Sequence, residues 1–222
     1  MRKEPLIGGN YYHIINRSIA KYIIYNDTGD YQRMMAILNL HRFSDFRYKF
    51  SYFNKLSINK QQAILCSISD SDTLVDILAY CLMPTHFHFI LKQNMPDGIT
   101  KYITRVLNSY SRYFNTKHKR KGPLWEGHFR NVLVENDEQL LHLTRYIYLN
   151  PVSAGLTKKP EEWTYSSYLE YLDKIDDHSA ICKFQDLINI EPKEYQKFVN
   201  NRISYQKEIS RIKKLIMDDY SS

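Results

Sequence analysis

Two apolar runs separated by only Pro84 and Thr85 constrain this chain more than any other feature. Leu74 to Met83 and His86 to Gln93 are each long enough for a strand. A two-residue link leaves room for little except a tight turn between antiparallel neighbours. Residues two apart on a strand share a face, so His86 and His88 point one way while Phe87, Phe89 and Leu91 point the other, into packing. Two imidazoles on a rigid strand could hold one divalent metal. A histidine on an apolar strand is more often a structural residue, so the pair alone is a weak signal.

The rest of the chain alternates strand and helix signals. Tyr11 to Asn16 reads as a first strand. The polar stretch from Asn26 to Asp30 then leads into a helical pattern of Tyr31, Met34, Met35, Ile37 and Leu38. Arg42 to Asp72 is irregular, with a short helix around Asn59 to Ile68. From Gly98 to Lys117 the apolar positions Ile99, Tyr102, Ile103, Val106, Leu107, Tyr110 and Phe114 keep helical spacing, with Lys101, Arg105 and Arg112 on the outer face. The breaker-rich loop Gly122 to Gly127 precedes strand-like Phe129 to Val134. Asn136 or Asp137 can cap a further helix that Pro151 is expected to stop near Leu149. Interleaved elements with a hairpin and no glycine-rich phosphate loop fit an α+β fold with an antiparallel or mixed sheet. The chain divides on composition into a body of residues 1–172 and a polar, charged helical tail of residues 173–222.

The formal net charge of +7 favours an acidic partner, nucleic acid first and an anionic membrane second. No apolar run approaches the roughly 20 residues of a membrane span. Met1-Arg2-Lys3 is not followed by a signal-peptide core, so a cytoplasmic location is expected. Cys66, Cys81 and Cys182 have no paired spacing and read as reduced thiols, mostly buried.

Tyr146 and Asn150 lie one turn apart on the helix before Pro151, so a phenol and an amide oxygen share a face. Asn150 can offer that oxygen to Mg2+ or Mn2+. A phenol ionises only near pH 10, roughly, and needs a metal or base to become a nucleophile. Beside such a metal Tyr146 could attack a phosphate in line; the plainer reading is a core aromatic beside Leu143, Ile147 and Leu149. Tyr148 is the rival nucleophile, but two positions on along a helix it faces about 160° away.

Several motifs then fall in family order. They are Met83-Pro84-Thr85-His86-Phe87-His88-Phe89, Leu124-Trp125-Glu126-Gly127-His128-Phe129 and Arg145-Tyr146-Ile147-Tyr148-Leu149-Asn150-Pro151-Val152-Ser153-Ala154-Gly155-Leu156, with Tyr12-His13-Ile14-Ile15-Asn16-Arg17 before them and Trp163-Thr164-Tyr165-Ser166-Ser167-Tyr168 after. From about Asn10 to Leu172 the chain resembles the REP-associated tyrosine transposases, a branch of the single-tyrosine HUH transposases. The resemblance implies a ferredoxin-like palm with an antiparallel sheet flanked by helices. It implies that His86 and His88 are metal ligands, that Tyr146 is the nucleophile forming a 5′-phosphotyrosine, and that Asn150 is the third ligand, where many relatives carry glutamine. The implied reaction is metal-dependent cleavage and rejoining of single-stranded DNA, at hairpin-flanked sites in the nucleoid. Family active sites are built within one subunit or shared across a homodimer. Beside these motifs, Arg105, Arg112, Lys117, Lys119, Arg120, Lys121 and Arg130 are candidates to track phosphates, and Trp125 or Tyr113 to stack on a base. A core position for Trp125 is the plainer reading. Two other classes compete: a domesticated hairpin DNA or RNA binder that no longer cuts, and a metal-dependent phosphohydrolase that would not need Tyr146.

Overall fold

The alternation of Tyr11–Arg17 (β1) is the backbone's own instruction for a sheet with two unlike faces, and the computed structural model builds that sheet. It describes residues 5–175, 180–184 and 190–204. Val75–Met83 (β2) and His86–Gln93 (β3) form the expected hairpin across Pro84-Thr85, and Arg130–Val134 (β4) completes a four-stranded antiparallel sheet in the order β2-β3-β1-β4. β1 and β3 pair antiparallel with Ile15 opposite His88 and Arg17 opposite His86. Opposed residues share a face, so His13, Ile15, Arg17, His86 and His88 lie on one side. Tyr12, Ile14, Phe87, Phe89 and Leu91 lie on the other, and all five are buried.

The described residues cluster as two compact units, Met1–Leu78 with Pro84–Leu133, and Ala79–Met83 with Val134–Ser222. In the first, Thr28–His41 (α1) and Gly98–Lys117 (α4) form a helical layer against the phenylalanine face. The side chain of Asp27 caps α1 by accepting from the Asp30 amide at 3.0 Å. On α4 the stripe Ile99, Tyr102, Ile103, Val106, Tyr110 and Phe114 is buried, as its spacing requires. Tyr102 donates its hydroxyl to the Leu38 carbonyl at 3.1 Å, and Tyr113 donates to Asp30 at 2.9 Å, which ties α4 to α1. The irregular stretch after α1 holds a single turn, Phe50–Phe53 (α2), and the helix Ile58–Ile68 (α3).

In the second unit Asp137–Ser153 (α5) is capped by Asn136, whose side chain accepts from the Gln139 amide at 2.8 Å. Pro151 does not stop this helix near Leu149. Proline removes one backbone donor and is tolerated where the helix is about to end. The stop is Gly155, at φ +75°, where the Leu156 amide donates back to the Pro151 carbonyl at 2.9 Å. Residues 163–167 run along the end of β2: the Leu82 amide donates to Tyr165, the Ser167 amide to Tyr80, and the Trp163 indole to Leu82. Beyond Tyr168–Tyr171 (α6) the described part of the tail holds one helix, Pro192–Asn200 (α7). The Tyr195 hydroxyl donates to Thr144 of α5 at 2.7 Å, so α7 packs on the helix that carries Tyr146. Residues 180–204 cluster in one unit with α5. The expected tail helix beyond residue 204 lies outside the described residues. Among the described residues no helix is long and apolar enough to cross a membrane. Cys81 and Cys182 are buried and Cys66 is exposed, all as free thiols.

Candidate active site

His86 and His88 sit at the start of β3, on the side of the sheet away from the packed phenylalanines. Strand alternation brings a third imidazole, His13 of β1, against them. His13 Nε2 lies 3.1 Å from His88 Nδ1, and the two rings stack with centroids 5.3 Å apart. The His86 and His88 rings meet edge-on at 5.1 Å, and Thr85 Oγ1 lies 3.0 Å from His86 Nδ1. Burial removes the water that would stabilise an imidazolium. It lowers His13 to about 4, and burial with the nearby Arg17 guanidinium lowers His86 to about 4. His88 falls well below its ordinary value, through burial first and then the charges of His13, His86 and Arg17. All three are therefore neutral at pH 7, the form that ligates metals.

The Nδ1 contacts have a chemical consequence. If each Nδ1 carries the proton, His86 donates it to Thr85 and His88 donates it to His13. The lone pair of each then sits on Nε2, oriented by a neighbour in the manner of histidine ligands. Two neutral nitrogen donors are a fit for an open divalent-metal site completed by oxygen. His13 spends its Nε2 on His88 and is better read as a positioning residue. No group of three or more His, Cys, Asp or Glu able to hold a metal occurs among the described residues.

Tyr146, the candidate nucleophile, lies in the second unit. Tyr146 is 38 % exposed on α5, whereas Tyr148 is 1 % exposed among Tyr168 and Tyr171, with its hydroxyl 2.8 Å from Ser167 Oγ. Burial pushes the Tyr148 phenol well above its ordinary range. The two tyrosines thus part as helical geometry requires. Asn150 donates its Nδ2 to the Tyr146 carbonyl at 3.0 Å, a bond that leaves the other amide atom, Oδ1, for a ligand.

The expected DNA contacts divide into two groups. Arg112, Lys119, Lys121 and Arg130 are exposed. Arg105 donates to the Phe43 and Ser44 carbonyls at 3.3–3.5 Å, Arg120 to the Pro123 carbonyl at 2.7 Å, and Lys117 to Asp27 and Asp30 at 2.7 Å each. Those three have structural partners. Trp125 carries two readings, base stacking and the plainer core position. It is 8 % exposed, donates its indole N–H to Ser111 at 2.9 Å and packs edge-on against Phe87. Its loop is fastened to the end of β1, because the Glu126 amide donates to the Arg17 carbonyl and the Ile19 amide to the Leu124 carbonyl, both at 3.0 Å. Glu126 also pairs with Arg17 at 3.4 Å on the surface beside His86. His13, Arg17 and Glu126 are the residues that sequence reasoning left without a role. The period of two in Tyr12-His13-Ile14-Ile15-Asn16-Arg17 was the available signal for the first two.

Comparison with known proteins places this arrangement. The sequence model of the family described as "Transposase IS200 like" matches residues 9–150, which spans β1, both histidines, Tyr146 and Asn150. The chain belongs to the IS200-like transposase family. A Haemophilus influenzae protein provisionally named a REP-associated tyrosine transposase is 29% identical over 105 residues, 42% of this chain and 58% of that protein. The REP-associated tyrosine transposase of Escherichia coli K12 is 25% identical over 97 residues, 44% of this chain and 56% of the relative. The chain thus spans less than two thirds of the length of either. A solved REP-associated tyrosine transposase bound to a REP hairpin aligns with 86% of this chain and 98% of its own, at a TM-score of 0.54 and 15% identity, a likeness of fold.

Proposed function

We propose that this IS200-like transposase is a metal-dependent transesterase that cuts and rejoins single-stranded DNA, at sites beside hairpins, through a phosphotyrosine. The observation that carries the reading is the pair of neutral imidazoles, His86 and His88, each with Nδ1 occupied by a neighbour. Those two Nε2 atoms and Asn150 Oδ1 would hold Mg2+ or Mn2+. The bound cation would polarise the scissile phosphate. Tyr146 then attacks phosphorus through its phenolic oxygen. The new bond is tyrosyl oxygen to phosphorus, the bond from phosphorus to the 3′-oxygen breaks, and the phenolic proton is lost as the 3′-oxygen gains one. The 5′-phosphate stays on Tyr146, and a 3′-hydroxyl attacking it restores the phosphodiester without nucleotide hydrolysis. The net charge of +7 and the exposed Arg112, Lys119, Lys121 and Arg130 suit a polyanionic strand.

Incubation with a pool of labelled single-stranded hairpin oligonucleotides and Mg2+ or Mn2+ tests this. A denaturation-resistant adduct mapped to Tyr146 by mass spectrometry is expected, lost with chelator, with His86→Ala and with Tyr146→Phe. Tight binding without an adduct would instead indicate a domesticated binding protein, and normal hydrolysis by Tyr146→Phe would indicate attack by water. Mixing Tyr146→Phe with His86→Ala chains asks whether two copies share one active centre. An adduct regained on Tyr146 of the His86→Ala chain is the outcome expected of a shared centre, and no adduct that of a self-contained one.

A further inference from the structure

A cleft of 540 Å³ opens in the helical layer of the first unit, bounded by α1, α4 and residues 47–51, away from the imidazole face. Its walls carry Arg33, Arg47, Lys49, Arg105 and Arg112, and none of its lining residues is a carboxylate. Lys117 also reaches the cleft, but Asp27 and Asp30 already neutralise it. Asp45 lies 3.6 Å from Arg47 on the open surface, where water screens the pair. The cleft therefore concentrates positive charge that the fold does not cancel.

Two of these cations are held in place before any ligand arrives. The Arg33 guanidinium lies between the rings of Phe50 and Tyr113, at 4.7 and 4.6 Å from their centroids. Arg105 is anchored on the Phe43 and Ser44 carbonyls, and a guanidinium's five N–H groups leave donors over. At the inner wall stands His41, 6 % exposed, and neither ring nitrogen has a hydrogen-bond partner among the described residues. Buried polar nitrogens are costly unless something completes them. At the rim Tyr48 is 42 % exposed, its ring nearly parallel to that of Tyr52 with centroids 6.3 Å apart, so that a partly exposed aromatic pair borders the cleft. Fixed cations, a buried imidazole that needs a partner and an exposed ring, in a volume within the roughly 300–1,000 Å³ of ligand pockets, describe a receptor for a nucleotide.

We propose that this cleft is a second nucleic-acid site, which takes one nucleotide of the bound single strand with its phosphate on Arg47, Arg105 and Arg112, its base on Tyr48 and a polar edge on His41. The proposal rests on DNA being the substrate, and it names where the strand is held apart from the cutting centre. A strand gripped there and at the histidines is fixed at two points, so the cleft would set which stretch reaches the nucleophile.

The test uses the full chain carrying Tyr146→Phe, so that no cleavage enters the binding data. Fluorescence anisotropy with a short labelled single-stranded oligonucleotide is read across a salt series for this parent, for added Arg47→Ala with Arg112→Ala, and for added Tyr48→Ala. All three positions are exposed. The double arginine variant should bind about ten-fold or more weakly, with the slope of log K against log salt reduced by about 1.4, at ~0.7 for each lost phosphate contact on a single strand. Tyr48→Ala should weaken binding about ten-fold with the slope unchanged. The imidazole NMR resonances of His41 should shift when the unlabelled oligonucleotide is added. Unchanged affinity and slope in both variants, or oligonucleotide binding that leaves His41 unmoved, would overturn the proposal. A His41 shift with deoxyadenosine 5′-monophosphate but not with the oligonucleotide would overturn it in favour of a free-nucleotide pocket. If the wild-type chain forms no Tyr146 adduct while His41 still responds to the strand, the transesterase reading fails and the cleft stands.

Discussion

At the scale of the residue, the candidate metal site depends on a side chain that is not a ligand. His13 meets His88 Nδ1 at 3.1 Å and stacks on its ring, so it fixes which His88 nitrogen faces a cation. Losing such an orienting partner typically costs about 10–100-fold in metal affinity. His13→Ala should therefore weaken Mn2+ binding by about that factor, read by calorimetry, with the circular dichroism of the fold retained. His13→Gln, which keeps a polar group at the position, should recover part of the loss. Unaltered affinity in His13→Ala would reduce His13 to a packing residue. The two ligand candidates were legible because His86 and His88 alternate with Phe87 and Phe89 inside one strand, so their shared face follows from local geometry. His13 was not legible as their partner. It lies 75 residues from His88, and its position follows from the β1 to β3 register, which no local pattern specifies. Trp125 was ambiguous for a related reason, since an aromatic in a basic, breaker-rich loop suits a stacking platform as well as a core. Ser111 and Phe87, which decide for the core, are both remote in sequence.

At the scale of the element, the cleft depends on how closely α4 docks. A Cβ added to Gly98, the first residue of α4, would sit 2.1 Å from the Leu74 carbonyl oxygen, a backbone atom that cannot swing aside. Gly98→Ala must push the start of α4 away from the strand edge, at a cost of about 1–3 kcal/mol as for other overpacked sites. Gly155→Ala poses a different problem. Its added methyl meets nothing within 4 Å, and only the φ of +75° is unfavourable, which costs about 1 kcal/mol. Urea titration should rank Gly98→Ala as the more damaging of the two, and equal midpoints would mean that α4 can slide. The helices themselves were legible from periodicity, α4 most clearly because its buried stripe runs from Ile99 to Phe114. The end of α5 was not. Pro151 is the louder sequence signal, yet the helix passes through it to Ser153 and is stopped by the left-handed Gly155. Residues 42–72 resisted assignment because they hold one four-residue turn and one eleven-residue helix on which Ile68 alone is buried. Such a surface leaves little apolar periodicity to read.

At the scale of the whole molecule, the described part of the tail makes packing contacts that composition does not encode. The described tail returns to α5 through Tyr195 and Thr144, although it reads as a polar appendage. The buried histidines give the molecule a further property that is independent of any ligand. His13, His41 and His86 each fall to about 4, through burial first, with Arg105 adding to the effect on His41 and Arg17 to that on His86, and burial also holds His88 well below its ordinary value. In the unfolded chain each imidazole titrates near its ordinary value of about 6.5. Below that pH the unfolded state binds protons that the folded state refuses, so stability falls as pH falls. Between pH 7.5 and 5.5 each such group removes about 1.3 kcal/mol, so the four together remove about 5 kcal/mol, a large fraction of a typical domain's stability. Asp30 adds its share only at lower pH. Burial raises its carboxyl, but Lys117, the Asn26 amide and the Tyr113 hydroxyl outweigh that and hold it below its ordinary value, so its stabilisation is lost only beneath about pH 4. Urea midpoints should thus drop steeply from pH 7.5 to 5.5 and level off above about pH 7. His41→Phe, which removes one of the four protons without touching the metal-site candidates, should flatten that slope by about a quarter. A midpoint that does not change between pH 7.5 and 5.5 would mean that the four imidazoles take up protons in the folded chain as readily as in the unfolded one, and that burial does not hold them neutral.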